Sequence, residues 1–127
     1  MAQPISVDMQ RFSVAISRDM RMTPVANKRG PPPLADGFVV GLADLTQDPP
    51  HRGERHPDGD ELVLVVSGRA TVTLESAPAT PLELGPGEAC VIPMGEWHRF
   101  HPIEPTRLVY ITPGPRSEHR PLQQPKG

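Results

Sequence analysis

Residues 53–68 read GERHPDGDELVLVVSG, and this stretch changes character within a few positions. Five acidic or histidine side chains stand close together at its start, and five consecutive aliphatic residues, 62–66, follow them. The five are Glu54, His56, Asp58, Asp60 and Glu61. An aliphatic run is typical of a buried strand, and burying an unpaired carboxylate is costly or forces it to protonate. The charge therefore needs a cation, a partner side chain or plain solvent.

Proline and glycine dominate the composition and disfavour long helices. The chain has 18 prolines and 11 glycines among 127 residues, and proline breaks a helix interior because it lacks an amide donor. Short runs typical of strands recur along the chain. They cover residues 11–17, 37–45, 61–66, 70–75, 89–92, 97–100 and 107–112. The sequence therefore predicts an all-β fold, a sandwich or a barrel.

The run 61–66 has apolar residues at both odd and even positions, that is, on both faces of a strand. This pattern predicts a strand covered on both faces. Glu61 shares its parity with Val63 and Val65, so it continues an inward-facing row. A glycine turn after this run, at Gly68, predicts a tight hairpin to the strand at 70–75.

Two segments are predicted to be irregular. Residues 18–36 carry Pro24, three consecutive prolines at 31–33 and several basic side chains. A mobile solvated loop is favoured there over a lid for an acidic ligand. The Pro-rich tail, 113–127, is expected to be extended and poorly ordered unless it docks on a partner subunit. Residues 1–112 are predicted to form a single domain.

Charge and composition argue against several classes of protein. The formal net charge is −2 and no stretch of Lys or Arg forms a basic stripe, so we expect no nucleic-acid partner. No apolar run approaches the ~18 residues of a membrane-spanning helix. Cys90 is the single cysteine, which excludes an internal disulfide. The N-terminal residues lack the pattern of a secretory signal, and we predict a cytoplasmic protein.

A second informative stretch, residues 85–102, reads GPGEACVIPMGEWHRFHP. Gly87 is followed after five residues by Pro93-Met94-Gly95, and His98 comes two residues later. Proline presets φ and glycine accepts the positive φ that closes a bend. This turn is predicted to reverse the chain and to bring His98 back over the same sheet.

Together the two stretches resemble the two sequence motifs of the cupin superfamily. In the first stretch, His56 is followed after four residues by Glu61 and after six more by Gly68. In the second, the glycine, the Pro-Met-Gly turn and His98 have the spacing of the second motif. The short separation between the motifs is similar to that of small single-domain bacterial cupins. The resemblance implies a jelly-roll β-barrel that binds a small molecule at its mouth and dimerises.

The resemblance also implies a mononuclear metal site formed by Glu54, His56, Glu61 and His98. The family motif has a histidine where this chain has Glu54, and an asparagine where it has Pro102. The implied cofactor is a divalent Mn, Fe, Ni or Zn ion. A second carboxylate in place of an imidazole shifts the preference toward harder ions such as Mn²⁺ or Fe²⁺.

Plainer interpretations of the same residues stay open. His56 and Glu61 could form a simple ion pair in a site without metal, and Glu54 could point to solvent. The remaining histidines, His51, His101 and His119, are predicted to be surface or loop residues, and Asp58 and Asp60 turn residues. Cys90 is expected to be a buried, inert thiol, and Trp97 a packing residue.

The predicted function is that of a small metal-binding cupin with a small, oxygen-rich organic ligand. Two outcomes stay open at the metal: transformation of the ligand, as in a dioxygenase or an isomerase, or binding without turnover, as in a sensor. A structural barrel with an empty site is the third alternative. We also predict a homodimer, because residues 5–14 could add to a neighbour's sheet edge and several strand faces are apolar.

Overall fold

Eleven β-strands form the regular structure of residues 2–28 and 36–121, the parts of the chain that the computed structural model describes. They are β1 (Phe12–Ser17), β2 (Met22–Ala26), β3 (Gly37–Leu45), β4 (Glu54–Arg55), β5 (Glu61–Ser67), β6 (Ala70–Leu74), β7 (Leu82–Leu84), β8 (Ala89–Ile92), β9 (His98–Pro102), β10 (Thr106–Gly114) and β11 (Glu118–His119). Within these two ranges there is no helix, which confirms the all-β prediction. It follows that no helix there could cross a membrane.

The strands form two antiparallel sheets, and the predicted jelly roll is confirmed. The six-stranded sheet has the order β2-β1-β3-β10-β5-β8, and the five-stranded sheet has the order β11-β4-β9-β6-β7. Both sheets contribute apolar side chains to one core. These are Val63, Val65, Val72, Leu84, Cys90, Ile92, Phe100 and Leu108. Of the motif residues, Glu61 and His98 lie on strands around this core, and His56 directly follows β4.

Strand β5 has one buried face and one open face. Glu61, Val63 and Val65 are at most 3% exposed, as their shared parity predicts. On the other face Leu62 is 36% exposed and Val66 is 48% exposed. The prediction that both faces are covered is therefore wrong, because only one face of the six-stranded sheet packs against the other sheet.

The two predicted chain reversals connect strands of different sheets. Gly68 has a φ of +85°, and an added Cβ would lie 2.2 Å from the carbonyl oxygen of Pro105. The turn is confirmed, but the hairpin is not, since β5 pairs with β10 and β8 while β6 pairs with β9 and β7. The Pro93–Gly95 turn likewise leads from β8 to β9 in the opposite sheet. The residues of a turn determine that the chain reverses direction. The strand with which the next strand pairs depends on which strand edges are free.

Both segments predicted to be irregular contain strands. β2 lies inside the expected 18–36 loop and pairs with β1, and Pro24 is tolerated because β2 is an edge strand. The three prolines at 31–33 lie outside the described residues. In the expected tail, β10 extends to Gly114 and β11 pairs with β4. Residues 113–114 and 118–119 are thus part of the sheets, while 122–127 lie outside the described residues.

Candidate metal centre

The four side chains predicted as ligands meet at one end of the barrel. Ligand atoms of Glu54, His56, Glu61 and His98 all lie within 4.8 Å of one another. Glu61 begins β5 in the six-stranded sheet, whereas Glu54 on β4 and His98 on β9 are direct partners in the five-stranded sheet. The site is therefore assembled between the two sheets.

The histidine Nε2 atoms face the carboxylates at ion-pair distances. His98 Nε2 lies 3.2 Å from Glu61 Oε1 and 3.3 Å from Glu54 Oε1. His56 Nε2 lies 3.3 Å from Glu61 Oε2 and 3.8 Å from Glu54 Oε1. Glu54 is thus turned into the cluster, and its side chain is only 18% exposed. The interpretation that Glu54 points to solvent is wrong.

Hydrogen bonds on the opposite ring nitrogens orient both histidines. His98 Nδ1 lies 3.0 Å from the carbonyl oxygen of Glu96, to which it donates. His56 Nδ1 lies 2.7 Å from Ser117 Oγ. With Nδ1 protonated, the neutral imidazole presents a lone pair at Nε2, the arrangement that metal-ligating histidines use. Thr112 Oγ1 donates to Glu61 Oε2 and orients that carboxylate in the same way.

Two of the inward-facing atoms have no hydrogen-bond partner among the described residues. They are His56 Nε2 and Glu61 Oε1, and both are buried. Unsatisfied buried polar atoms are rare in folded proteins and call for a specific explanation, such as an ion or a water. Nitrogen and oxygen donors converging on one point fit a divalent metal ion of the Mn, Fe, Ni or Zn type.

The cluster is also electrostatically balanced in its metal-free form. Burial by itself would lower the pKa of both histidines, but the contacts with Glu54 and Glu61 raise the pKa of His56 to about 9 and that of His98 to about 10. Burial would raise the pKa of each glutamate, and the surrounding histidines instead hold it below its usual range. Two imidazolium groups therefore compensate two carboxylates, and a metal ion bound here would have to displace their protons.

The cluster opens onto a cavity of about 290 Å³ inside the barrel. It is lined by Leu42, Ala43, Leu45, Pro49, Glu54, His56, Glu61, Val63, Phe100, Leu108, Tyr110, Thr112 and His119. Among the described residues that line it there is no lysine or arginine. The cavity thus has a polar end at the cluster and a largely apolar wall, and its volume lies at the small end for ligand sites.

The structure adds two histidines that the sequence interpretation left in loops. His119 Nε2 lies 3.1 Å from Glu54 Oε2, and His51 Nε2 lies 3.8 Å from the same oxygen. Burial lowers the pKa of His51 despite the adjacent Glu54 carboxylate. His51 could have been suspected from its spacing of three residues from Glu54. Nothing in the sequence around His119 indicates its place, since it lies in a Pro-rich tail.

Three residues predicted to lie outside the cluster, His101, Cys90 and Trp97, are found where the sequence predicts them. His101 is at the surface, and its Nδ1 is 2.6 Å from Asp48 Oδ1. Cys90 is buried, and burial, with the Glu61 charge, raises the pKa of its thiol to about 11, which fits an inert thiol. Trp97 packs against Arg120, whose guanidinium carbon lies 4.1 Å from the centre of the Trp97 ring.

Asp58 and Asp60 accept backbone hydrogen bonds rather than joining the cluster. Asp58 Oδ2 accepts from the amide of Arg116 at 2.6 Å, and Asp60 Oδ1 accepts from the amide of Met94 at 2.8 Å. These bonds tie the loop before β5 to the C-terminal segment and to the turn after β8.

The two packed sheets with a histidine–glutamate cluster at one end define a small β-barrel protein with a candidate metal site. The sequence matches the family profile described as the cupin domain over residues 45–112, just over half of the chain. The chain therefore belongs to the cupin-domain family, as the motifs predict. No curated protein matches the sequence.

Solved structures of cupins share the fold at low sequence identity. A cupin-2 domain protein from Shewanella frigidimarina is 22% identical, with a TM-score of 0.54 over 63% of this chain and 74% of its own. A cupin superfamily protein from Desulfitobacterium hafniense is 17% identical, with a TM-score of 0.53 over 85% and 82%. Oxalate decarboxylase from Bacillus subtilis, a protein with Mn(II) centres, is 18% identical, with a TM-score of 0.54 over 66% and 24%. These likenesses concern the fold alone.

Proposed function

We propose that the protein binds one divalent metal ion through Glu54, His56, Glu61 and His98. The observation that carries the proposal is a pair of buried atoms that make no hydrogen bond, His56 Nε2 and Glu61 Oε1, within the group of converging ligand atoms. The hydrogen bonds on both Nδ1 atoms support it, because they leave Nε2 free to bind. Two carboxylates beside two imidazoles favour Mn²⁺ or Fe²⁺ over softer ions, with Ni²⁺ and Zn²⁺ as the other candidates.

The ligand that this site suits is a small organic molecule with an oxygen-rich head and an apolar body. The head would lie at the metal, and the body would pack against the apolar wall formed by residues such as Leu45, Phe100 and Leu108. No lysine or arginine among the described residues lines the cavity, so a second anionic group would have no lysine or arginine partner there. A neutral or singly charged chelator, such as a diketone or a hydroxy acid, fits better than a dicarboxylate.

Two activities are compatible with this ligand. A bound metal would supply Lewis acidity or, as Fe²⁺, activation of O₂. The chain's own contribution is to bind the apolar body and to exclude water around the reacting head. The second candidate is a sensor or binding protein that retains its ligand unchanged. It is favoured by one observation: among the described residues, the ionisable side chains that line the cavity are three cluster residues (Glu54, His56 and Glu61), His119 and Tyr110.

The proposal is tested by metal analysis of protein purified without chelator, followed by titration of metal-free protein with Mn²⁺ and Zn²⁺. We expect one equivalent per chain, and none in the matched His98→Ala variant. Metal-free wild type that binds neither ion would overturn the proposal and leave the ion-paired structural barrel.

The ligand class is tested on the metal-loaded protein with two chelators of similar size, acetylacetone and malonate. We expect acetylacetone to bind more tightly, because malonate would place its outer carboxylate oxygens against the apolar wall where acetylacetone has methyl groups. Tighter binding of malonate would contradict the proposed ligand class. Consumption of the ligand during incubation in air separates an enzyme from a binding protein.

We also propose that the protein forms a homodimer through the outer face of the six-stranded sheet. One apolar row crosses five strands of that face, and its members are register neighbours. They are Val14, Val40, Ile111, Leu62 and Val91. Val91 at the end of the row is 62% exposed. A contiguous apolar face is typical of an interaction surface, and a two-fold contact would cover it on both copies.

The dimer need not involve the N-terminal strand as an added edge. Within one chain, β1 already pairs with β2 on one side and β3 on the other. Because β1 begins at Phe12, only residues 12–14 of the predicted segment 5–14 are paired within the chain, and residues 5–11 precede the strand.

A further inference from the structure

The carboxylate of Glu54 is contacted on both of its oxygens. Oε1 faces the cluster, at 3.3 Å from His98 Nε2. Oε2 faces away from the cluster, at 3.1 Å from His119 Nε2 and 3.8 Å from His51 Nε2. The rings of His51 and His119 meet edge to face, with their centres 5.0 Å apart. Glu54 therefore stands between the proposed ligands and a second pair of histidines.

We infer that His51 and His119 are positioning residues that hold Glu54 as the fourth metal ligand. The inference rests on the proposed metal site. A glutamate at this position is longer and more flexible than a histidine, so a carboxylate ligand needs something to fix its rotamer. A partner on Oε2 leaves Oε1 directed at the metal, and partners of this kind orient ligating groups in many metal sites.

The position of His119 is set by backbone pairing and not by the chance proximity of a mobile tail. β11 pairs with β4 so that His119 lies opposite Glu54. The ladder continues on one side, where the amide of Arg120 donates to the carbonyl of Gly53 at 3.0 Å and the amide of Arg52 donates to the carbonyl of Arg120 at 2.9 Å. The C-terminal segment is thereby part of the site.

The hydrogen bonding of His51 argues against a second metal ion between these histidines. The amide of Gly53 donates to His51 Nδ1 at 3.1 Å. A neutral His51 therefore carries its proton on Nε2, the atom that faces Glu54, and it has no lone pair there for a metal. A proton at this nitrogen suits a partner of the carboxylate.

The test measures the affinity of metal-free protein for Zn²⁺ and Mn²⁺ by competition with a chromophoric chelator. His119→Ala should weaken binding by about tenfold, in the range found for partners of ligating residues. His51→Ala should weaken it less, because its contact is longer. The matched control is His101→Ala, a histidine paired with Asp48 at the surface, which should bind as wild type does. Circular dichroism of each variant checks the fold.

A second substitution distinguishes positioning from general loss of structure. In a Glu54→His background there is no second carboxylate oxygen, so His119→Ala should change affinity by less than about twofold. His119→Gln, whose amide can still donate to Glu54, should bind metal more tightly than His119→Ala. A loss that persists in the Glu54→His background, or wild-type affinity in His119→Ala, would overturn the inference.

The inference and the proposed function fail in different ways. If wild type binds no metal, both fall. If wild type binds one equivalent and His119→Ala binds equally well, the inference alone falls. If wild type binds two equivalents and His119→Ala loses one of them, His51 and His119 are ligands of a second ion, which also overturns their role as positioning residues.

Discussion

The two glutamates of the site carry the same charge but lie in regions of very different construction. Glu61 is on β5, a seven-residue strand with hydrogen-bonded neighbours on both sides, and it is 3% exposed. Glu54 is on β4, a two-residue strand, and its side chain is 18% exposed. Glu61 is held by a long buried strand together with Thr112 and the cluster histidines, whereas Glu54 lies on a short strand and its outer oxygen contacts His119 and His51.

In the proposed metal site, this difference explains how a ligand at the edge can change. The buried region around β5 leaves little freedom, because Glu61 contacts both cluster histidines and accepts a hydrogen bond from Thr112. At β4 the chain supplies support from the C-terminal strand β11 instead. A carboxylate can replace a histidine there because a neighbouring segment provides its second partner.

The largest expected effect on metal affinity comes from substituting glutamine for each of the two glutamates and comparing the losses. Glu61→Gln should weaken metal binding by more than about 100-fold, because it removes a charge from the buried centre of the cluster. Glu54→Gln should cost about 10- to 100-fold, since solvent can partly replace the edge ligand. Competition titrations with Zn²⁺ and Mn²⁺ measure both.

A similar loss of metal binding is expected from substitution of the two cluster histidines. His56→Ala and His98→Ala should each reduce binding as severely as Glu61→Gln, because three remaining ligands form an incomplete shell. Equal losses for the two glutamine variants would show that the centre and the edge do not differ. Wild-type affinity in Glu54→Gln would reduce the site to three ligands.

A comparable effect is expected from pH, because protons compete with the metal at the buried centre. The pKa values of His56 and His98, about 9 and about 10, are raised above their unfolded values, so both rings are protonated at pH 7 in metal-free protein. Metal binding should then release nearly two protons, and affinity should rise roughly 10- to 100-fold per pH unit up to about pH 9. Calorimetry in buffers of different ionisation enthalpy counts the protons.

The same shifts set the stability of the metal-free protein. A raised pKa in the folded state stabilises the protein fully below the unfolded pKa of about 6.5, and this stability is lost as pH rises through 9 to 10. Urea unfolding at pH 7 and pH 10.5 should therefore show a less stable protein at the higher pH. Metal binding without proton release at pH 7 would show that the histidines are already neutral.

The smallest effect on the site is expected from the far side of the same sheet. Leu62 is next to Glu61 in sequence but points to the outer face. Leu62→Glu should convert the proposed dimer to a monomer, as measured by light scattering, and change metal affinity by less than about twofold. Leu82→Glu, at an exposed leucine of the five-stranded sheet, is the control and should leave the mass unchanged. A wild-type monomer at micromolar concentration would contradict the proposed dimer.

Local patterns in the sequence were sufficient to predict the all-β class and the buried position of Glu61. Alternation assigned Glu61, Val63 and Val65 to one buried face, and the turn residues Gly68 and Gly95 were found at positive φ as predicted. These features are local, because side-chain parity and backbone φ depend on a few neighbouring residues. The motif spacing added His56 and His98 through the resemblance to cupins.

Pairing across the chain was decided only by the tertiary structure. Turn chemistry could not show that β5 and β6, or β8 and β9, lie in opposite sheets, because strand partners are chosen among edges far apart in sequence. The same limit hid the role of His119. It lies 65 residues after Glu54, in a segment whose composition predicts an extended tail, and only the pairing of β11 with β4 brings its Nε2 to the carboxylate.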